Sequence, residues 1–414
     1  MSAGICLMNK SCIVLAADSA VTVGERETIF NSADKVYSLS TKYPIGCIIY
    51  QNMEFMDIPI GIVLSKFRNS VDSTENDFKN AIEYFDAFKK FLSEEKDFFR
   101  FKKNEFRFLI IYYKIVRDEF EKQHKIESDK LLSEKQEDLN PEEIDKATEN
   151  AIKNIRKLIK LFNKDENYNV KEYIVENYNK DLVNLFKDWF KNINLKDEQL
   201  SDLIEIIITL IESDFKIQEY TGINISGYGK DQIFPSSAHY RLYGIIDGKI
   251  KYEDIENTQI SVSKASSIKT LAQSDVIELF AYGINNSFLQ NIGIIVKENL
   301  EEKTKQIKHI VEDKEKLKLV KELFTDSHDI IRNKVKDYAW DNFLKPLEKS
   351  IAILPNDEII QLAEEMINLT SLRRKIIVDK LAGTVGGPVD IALIDIENGF
   401  QWKCKKRGYV NDGK

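Results

Sequence analysis

Two short apolar runs at the start of the chain constrain its fold more than any other feature. They occupy residues 3–7 and 12–17, and a short turn at residues 8–11 separates them. Two such runs joined by a turn predict a β-hairpin. Because both runs are almost continuously apolar, the hairpin should be buried on both faces and lie in the middle of a core. Chain termini usually fray in solvent, so a terminus that leads directly into a buried strand is unusual.

The charge balance and the lengths of the apolar runs exclude two classes of partner. The 414 residues include 60 basic and 68 acidic ones, interleaved along the chain, for a net charge of −8. A nucleic-acid partner would require a basic face, so none is expected. The longest apolar runs, such as residues 206–211, are too short to cross a bilayer, and no signal peptide opens the chain. We therefore expect a cytoplasmic protein without a membrane partner.

The cysteines and histidines show no metal-binding spacing, so we expect no metal and no cofactor. The cysteines are interpreted as reduced core residues. Cys6 is disfavoured as a nucleophile because it lies inside a predicted buried strand without a paired histidine. His239 lies beside a predicted strand and is assigned a structural role. The remaining cysteines are Cys12, Cys47 and Cys404.

Beyond the hairpin, the pattern alternates between strands and helices. Residues 35–39 and 45–50 predict strands, and a helix should begin near Pro59. From residue 75 to residue 215 glycine is absent, and apolar residues recur three and four apart, which predicts a block of about five or six helices. Asn140 and Pro141 form a helix-start pair within this block.

Strand patterns return near residue 222. Asp247-Gly248 between two alternating runs predicts a hairpin. Helices are predicted at residues 275–282, within the charged stretch 297–350, and at 356–374. A buried strand should follow the Gly-Gly-Pro bend within residues 384–395. This order predicts an α+β fold, with two sheets sandwiched between helices in four layers.

Three parts of the opening stretch resemble the start of a proteasome-type β subunit, in the N-terminal-nucleophile (Ntn) hydrolase superfamily. These parts are Ser2-Ala-Gly-Ile, the run from residue 14 to Ser19 that contains Ala-Ala-Asp-Ser, and Asp34-Lys35-Val-Tyr. Weaker similarity continues through residues 45–50, Ser226-Gly-Tyr-Gly, the Asp-Gly hairpin and the Gly386-Gly387 strand. The resemblance implies a four-layer αββα Ntn sandwich that carries large helical insertions. It divides the chain into core segments 1–74, 216–296 and 351–414, with insertions at 75–215 and 297–350.

The chemistry of the opening residues can be argued from the residues themselves. If Met1 is removed, Ser2 carries both a hydroxyl and a free α-amine, whose ordinary pKa of about 7.7 to 8.0 suits a general base at neutral pH. A nearby ammonium would lower the proton affinity of this amine, and Lys35 is the candidate. A buried lysine needs a counter-charge, which Asp18 can supply. The resemblance assigns the same roles to Ser2, Asp18 and Lys35.

The supporting groups depart from the family pattern. Where the family has Ser-Gly after its fourth strand, this chain has Tyr50-Gln51-Asn52, and the backbone N–H of Gln51 is the candidate oxyanion donor. Ser274 corresponds loosely to a family serine. The family also has a supporting aspartate and serine just before its late Gly-Gly. This chain has Ala382 and Val385 at those positions, and Asp379 and Thr384 lie close enough to substitute for them.

We therefore expect an N-terminal serine hydrolase that cleaves peptide or amide bonds through an acyl-enzyme on Ser2. Two alternatives stay open: a small-amide acylase, and a non-catalytic protein of the same fold that binds partners through its helical insertions. The resemblance implies a peptide or small-amide substrate and a homo-oligomer, because proteasome-type subunits form stacked rings. It leaves open an unfoldase or other protein partner that the insertions would bind.

Overall fold

The computed structural model describes residues 3–23, 28–75, 77–94, 102–133, 138–272, 275–308, 314–376 and 385–405. Within these residues the protein has an α+β fold in which all strand pairs are antiparallel. None of the described helices combines the length and the apolarity needed to span a bilayer.

The first five-stranded sheet has the order β12-β1-β2-β13-β14. Its central hairpin is the predicted one, and every residue of both hairpin strands is buried. The prediction of a hairpin in the middle of the core is therefore confirmed. The strands of this sheet are β1 (Ala3–Asn9), β2 (Ile13–Ala17), β12 (Ser266–Ala272), β13 (Asp390–Asp395) and β14 (Gly399–Cys404).

The second five-stranded sheet has the order β11-β10-β9-β6-β5. Asp247 and Gly248 join two of its strands with φ values of 53° and 68°, as a type I′ hairpin turn requires. The predicted hairpin is thus confirmed. The strands of this sheet are β5 (Val36–Ser38), β6 (Ile45–Gln51), β9 (Thr221–Gly227), β10 (Ser236–Ile246) and β11 (Lys249–Gln259).

Two small ribbons were not predicted. One pairs β3 (Val21–Val23) with β4 (Thr28–Phe30), and the other pairs β7 (Glu54–Phe55) with β8 (Ile58–Pro59). Both contribute to the lining of one cavity, the first through Val21 and the second through Glu54 and Phe55.

The two large sheets share one apolar cluster. Cys6 and Leu15 of the first sheet and Ile48 and Tyr50 of the second belong to it. Because successive strand residues point to opposite faces, the alternate residues of β1 and β2, such as Ile5, pack instead against helices.

The helices divide by the surface that they cover. On the second sheet, α1 and α2 pack on the face that points away from the first sheet, and α7, α10 and α11 pack on the outer face of the first sheet. A further set, α3 to α6, has its own apolar core and reaches the second sheet through Tyr243 and Ile246. The helices are α1 (Ile60–Ser73), α2 (Ala81–Glu94), α3 (Lys102–Ser133), α4 (Pro141–Ile159), α5 (Lys171–Trp189), α6 (Asp197–Ile211), α7 (Asp275–Tyr282), α8 (Asn286–Lys308), α9 (Lys314–Ala339), α10 (Lys345–Ile351) and α11 (Asn356–Ile376), with a π-helical turn at Trp340–Leu344 between α9 and α10.

The predictions of the helical block and of the Asn140 helix start are confirmed. The described part of residues 75–215 contains five helices, and α4 begins at a capping box in which Asn140 and Glu143 satisfy each other's backbone N–H groups. Helix α2 packs on the second sheet beside α1. The division of the chain into five segments stays a prediction.

The interpretation of all four cysteines as core residues was wrong for one of them. Cys6, Cys12 and Cys47 are buried, whereas Cys404 is exposed. Cys404 is the last residue of β14, which is an edge strand, and so less of the protein covers it.

Candidate active site

Asp18 is the centre of the site. It follows β2 directly, and only 1% of its surface is exposed. Its Oδ1 accepts hydrogen bonds from the Ala3 N–H at 2.8 Å and from Lys35 Nζ at 2.5 Å. Its Oδ2 accepts from the N–H groups of Ala20 at 3.2 Å and Gly386 at 3.0 Å. A carboxylate that accepts from four donors is held in one orientation.

Lys35 lies immediately before β5 and is equally buried, with 1% of its side chain exposed. Its ammonium donates to Asp18 Oδ1 and to the carbonyl oxygen of Ala20, each at 2.5 Å. The backbone carbonyl of Lys35 accepts from the Ile49 N–H at 2.8 Å. A buried ion pair is favourable only when further hydrogen bonds satisfy both ions, and these contacts supply them. The structure thus brings together two of the three predicted residues.

The first residue of β1, Ala3, contacts this ion pair. The Ala3 N–H donates to Asp18, and the Ala3 carbonyl accepts from the Asp18 N–H at 3.1 Å. Ser2 is bonded to the Ala3 nitrogen but lies outside the described residues, as do the predicted supporting residues Ser274, Asp379 and Thr384.

The bend before β13, at residues 386–388, contacts the site through hydrogen bonds to Asp18 and Ser19. Besides the Gly386 N–H on Asp18, the Ser19 N–H donates to the Gly386 carbonyl at 3.2 Å, and the Ser19 hydroxyl donates to the Pro388 carbonyl. Gly387 has a φ of +77°, and a Cβ there would lie 2.9 Å from Cβ of Asn31. Sequence reasoning identified this Gly-Gly-Pro bend but not its hydrogen bonds to Asp18 and Ser19.

Gln51 is the last residue of β6, two positions after the residue that binds the backbone of Lys35. Its side chain is exposed and its φ is 69°, a left-handed conformation that is uncommon for a non-glycine residue. Gln51 and Val21 line one cavity of about 590 Å³. Val21 directly follows Ala20, whose carbonyl accepts from Lys35. One lining residue of this cavity is therefore the sequence neighbour of a hydrogen-bond partner of Lys35.

The buried groups between the sheets are poorly suited to catalysis. Burial raises the pKa of the Cys6 thiol above its ordinary value, which disfavours the nucleophilic thiolate. Burial lowers the pKa of His239 to about 3. His239 Nε2 lies 2.6 Å from the Tyr50 hydroxyl. The neutral imidazole thus serves as a hydrogen-bond partner inside the core.

The described residues contain no group of three or more His, Cys, Asp or Glu side chains that could hold a metal ion.

The sequence matches no protein-family model, and no curated protein is significantly similar to it. Function is therefore inferred from the residues and their geometry.

Proposed function

We propose that this protein is an N-terminal serine hydrolase of the proteasome-like Ntn superfamily, which cleaves an amide bond with Ser2 as nucleophile after Met1 is removed. The observation that carries the proposal is the buried Asp18–Lys35 pair, hydrogen-bonded to the backbone N–H that directly follows Ser2. An ion pair costs free energy to bury, and this one lies where an N-terminal nucleophile would need a fixed positive charge.

The architecture supports the same proposal. Two antiparallel sheets share an apolar cluster, and helices cover the outer face of each sheet. This arrangement fits a four-layer αββα Ntn sandwich. The helices α3 to α6, with their separate core, fit the role of an insertion.

In the proposed reaction, the free α-amine of Ser2 accepts the proton of its own hydroxyl as Oγ attacks the substrate carbonyl carbon. The Lys35 ammonium stabilises the negative charge that develops on Oγ, and Asp18 holds the ammonium in place. The α-ammonium then returns the proton to the leaving nitrogen as the C–N bond breaks. An ester on Ser2 remains. Water, deprotonated by the same amine, hydrolyses this ester and restores the hydroxyl.

The negative charge on the former carbonyl oxygen needs a donor of its own. The backbone N–H of Gln51 is the proposed donor, since any residue except proline can supply one. Gln51 lines a cavity together with Val21, the residue after Ala20, whose carbonyl accepts from Lys35, and this supports the assignment.

The first test is intact-mass spectrometry of the purified full chain, before and after treatment with a serine-reactive β-lactone. We expect the chain to begin at Ser2 and to gain one acyl group, which peptide mapping places on Ser2. Ser2→Ala should lose the adduct, Ser2→Thr should keep it, and Ser263→Ala, an exposed loop serine, should label as the wild type does.

An intact Met1 in the active protein would falsify the proposal, because an acylated amine cannot act as the base. If Ser2→Ala still formed the adduct, another residue would be the nucleophile. If a chain that begins at Ser2 formed no adduct, the non-catalytic binding protein would be the better interpretation.

A further inference from the structure

The cavity beside Gln51 has a wall that comes from the inserted helical block. Helix α3 contributes Asn104, Arg107, Phe108, Ile111 and Lys114 to its lining. Each of these residues is three or four positions from at least one of the others, so they share one face of the helix. The volume of about 590 Å³ lies within the range of ligand-binding pockets, roughly 300 to 1,000 Å³. We call this cavity the cleft.

Two contacts fix α3 to another segment of the cleft lining, residues 56 and 57. Asn104 Nδ2 donates to the Met56 carbonyl at 2.9 Å, and the Arg107 guanidinium forms an ion pair with Asp57. Met56 and Asp57 have φ values of 53° and 65°, so two successive non-glycine residues are left-handed here. Such conformations persist only where the surroundings impose them, and they cluster at ligand sites. The cleft is therefore built in advance of any ligand.

The lining of the cleft carries charges of both signs. On α3, Arg107 is paired with Asp57, whereas Lys114, two turns further along, is exposed and has no ion-pair partner among the described carboxylates. Its ammonium can therefore receive an anionic group from a ligand. Glu54 and Glu219 also line the cleft and are likewise exposed.

We infer that α3 is the specificity wall of the hydrolase and that Lys114 selects substrates with a carboxylate in the segment that occupies the cleft. The inference rests on the proposed function, because it takes the substrate to be held beside Gln51. Successive side chains of an extended peptide point to opposite sides. An acidic residue facing Lys114 therefore turns its neighbour away from Lys114, and the carboxylates of Glu54 and Glu219 in the cleft lining favour a basic side chain there. The preferred segment is an acidic residue next to a basic one.

The test measures how fast peptide vinyl sulfones label Ser2 in the full chain, by intact mass. Three peptide vinyl sulfones differ only at one pair of adjacent residues. The pair is acidic and basic in the first probe, basic and basic in the second, and acidic and acidic in the third. A small uncharged β-lactone is the fourth probe. We expect wild type to react with the acidic–basic probe about fivefold faster than with the doubly basic one, the size of an exposed charge pair. Lys114→Glu should reverse this order, and Lys114→Gln should abolish the difference.

The matched control is Lys125→Glu, the same charge reversal at an exposed position of α3 that is not part of the cleft lining. It should leave all four labelling rates unchanged. The lactone rate should be the same in every variant, since that probe does not reach Lys114.

The outcomes separate the two proposals. If Ser2 is labelled but Lys114→Glu does not change the relative rates of the peptide probes, α3 is not the specificity wall. The proposal of a hydrolase would still stand. A change of equal size for Lys125→Glu would also overturn the specificity wall, because the effect would then be one of net charge. No labelling of Ser2 by any probe would reject the hydrolase itself.

Discussion

At the scale of single residues, the site depends on how completely one buried carboxylate is satisfied. Asp18 accepts from three backbone N–H groups and one ammonium. The three N–H groups alone would hold a carboxylate. Lys35 therefore adds a positive charge next to Ala3 beyond what Asp18 needs as an acceptor, and the proposed catalytic role of the pair rests on this charge.

Replacing Lys35 by methionine tests that distinction. Lys35→Met keeps most of the buried stem but leaves the Asp18 carboxylate without its counter-charge, and we expect the free energy of unfolding to fall by about 3 kcal/mol. Acylation of Ser2 should slow by about a hundredfold or more, the usual effect of losing one group that stabilises the developing charge. Urea denaturation and labelling kinetics measure the two effects.

The double variant Asp18→Asn/Lys35→Met separates stability from catalysis. Removing both charges should restore part of the lost stability, because no buried ion is left unpaired, but none of the lost reactivity. Recovery of both together would show that Lys35 acts only through the stability of the fold.

At the scale of elements, the hairpin of β1 and β2 and the bend before β13 form the site together. The hairpin places Ala3 and Asp18 side by side, and β13 pairs with β2 from Asp390 onward. The bend can donate the Gly386 N–H to Asp18 because Gly387 adopts a φ of +77°. A residue with a Cβ is strained in that conformation.

Gly387→Ala should therefore disturb both the fold and the site. We expect a loss of about 1 to 2 kcal/mol in unfolding free energy from the left-handed conformation, with a further contribution from the 2.9 Å approach of the new Cβ to Asn31. Acylation of Ser2 should also slow, because the Gly386 N–H shifts away from Asp18.

Gly399→Ala is the matched control for this substitution. Gly399 has a φ of +69°, but a Cβ added there would meet none of the described residues within 4 Å. The variant should lose stability and keep the wild-type acylation rate. Equal acylation rates in Gly387→Ala and Gly399→Ala would contradict the role of the bend.

At the scale of the whole molecule, the space between the two sheets contains polar groups as well as an apolar cluster. His239 of β10 is buried there against the Tyr50 hydroxyl. Burial, helped by the positive charges of Lys269 and Arg241, lowers the pKa of His239 to about 3 from an ordinary value of 6.5. Between these two pKa values, His239 is neutral in the folded protein and protonated in the unfolded chain.

This difference makes stability depend on pH. Below an unfolded pKa of about 6.5 the unfolded state binds the extra proton, so the free energy of unfolding should fall as pH decreases from about 6.5 toward 3, by up to ~1.4 kcal/mol per pH unit. His239→Gln removes this contribution. Urea denaturation at pH 7, 6, 5 and 4 should give a shallower pH slope for the variant than for wild type. Identical slopes would mean that His239 is protonated in the folded protein.

Much of the local structure could be predicted from the sequence. The buried β1–β2 hairpin, the Asp247-Gly248 turn and the Asn140 cap follow from apolar periodicity and from residues with strong backbone preferences. Strand β12 was missed for a physical reason. Its Lys269 is buried and donates to the Glu256 carbonyl at 3.0 Å, so a charged residue interrupts the apolar pattern that would have indicated a strand.

The sequence by itself determined which residues could form the site, since Ser2, Asp18 and Lys35 lie within one short stretch at the start of the chain. Only the tertiary structure decided what surrounds them. The Gly386 N–H reaches Asp18 across 368 positions of sequence, and α3, which walls the cleft, lies in a different part of the chain from Gln51. Such contacts depend on how sheets and helices pack, and the spacing of residues in the sequence does not predict which distant segments pack together.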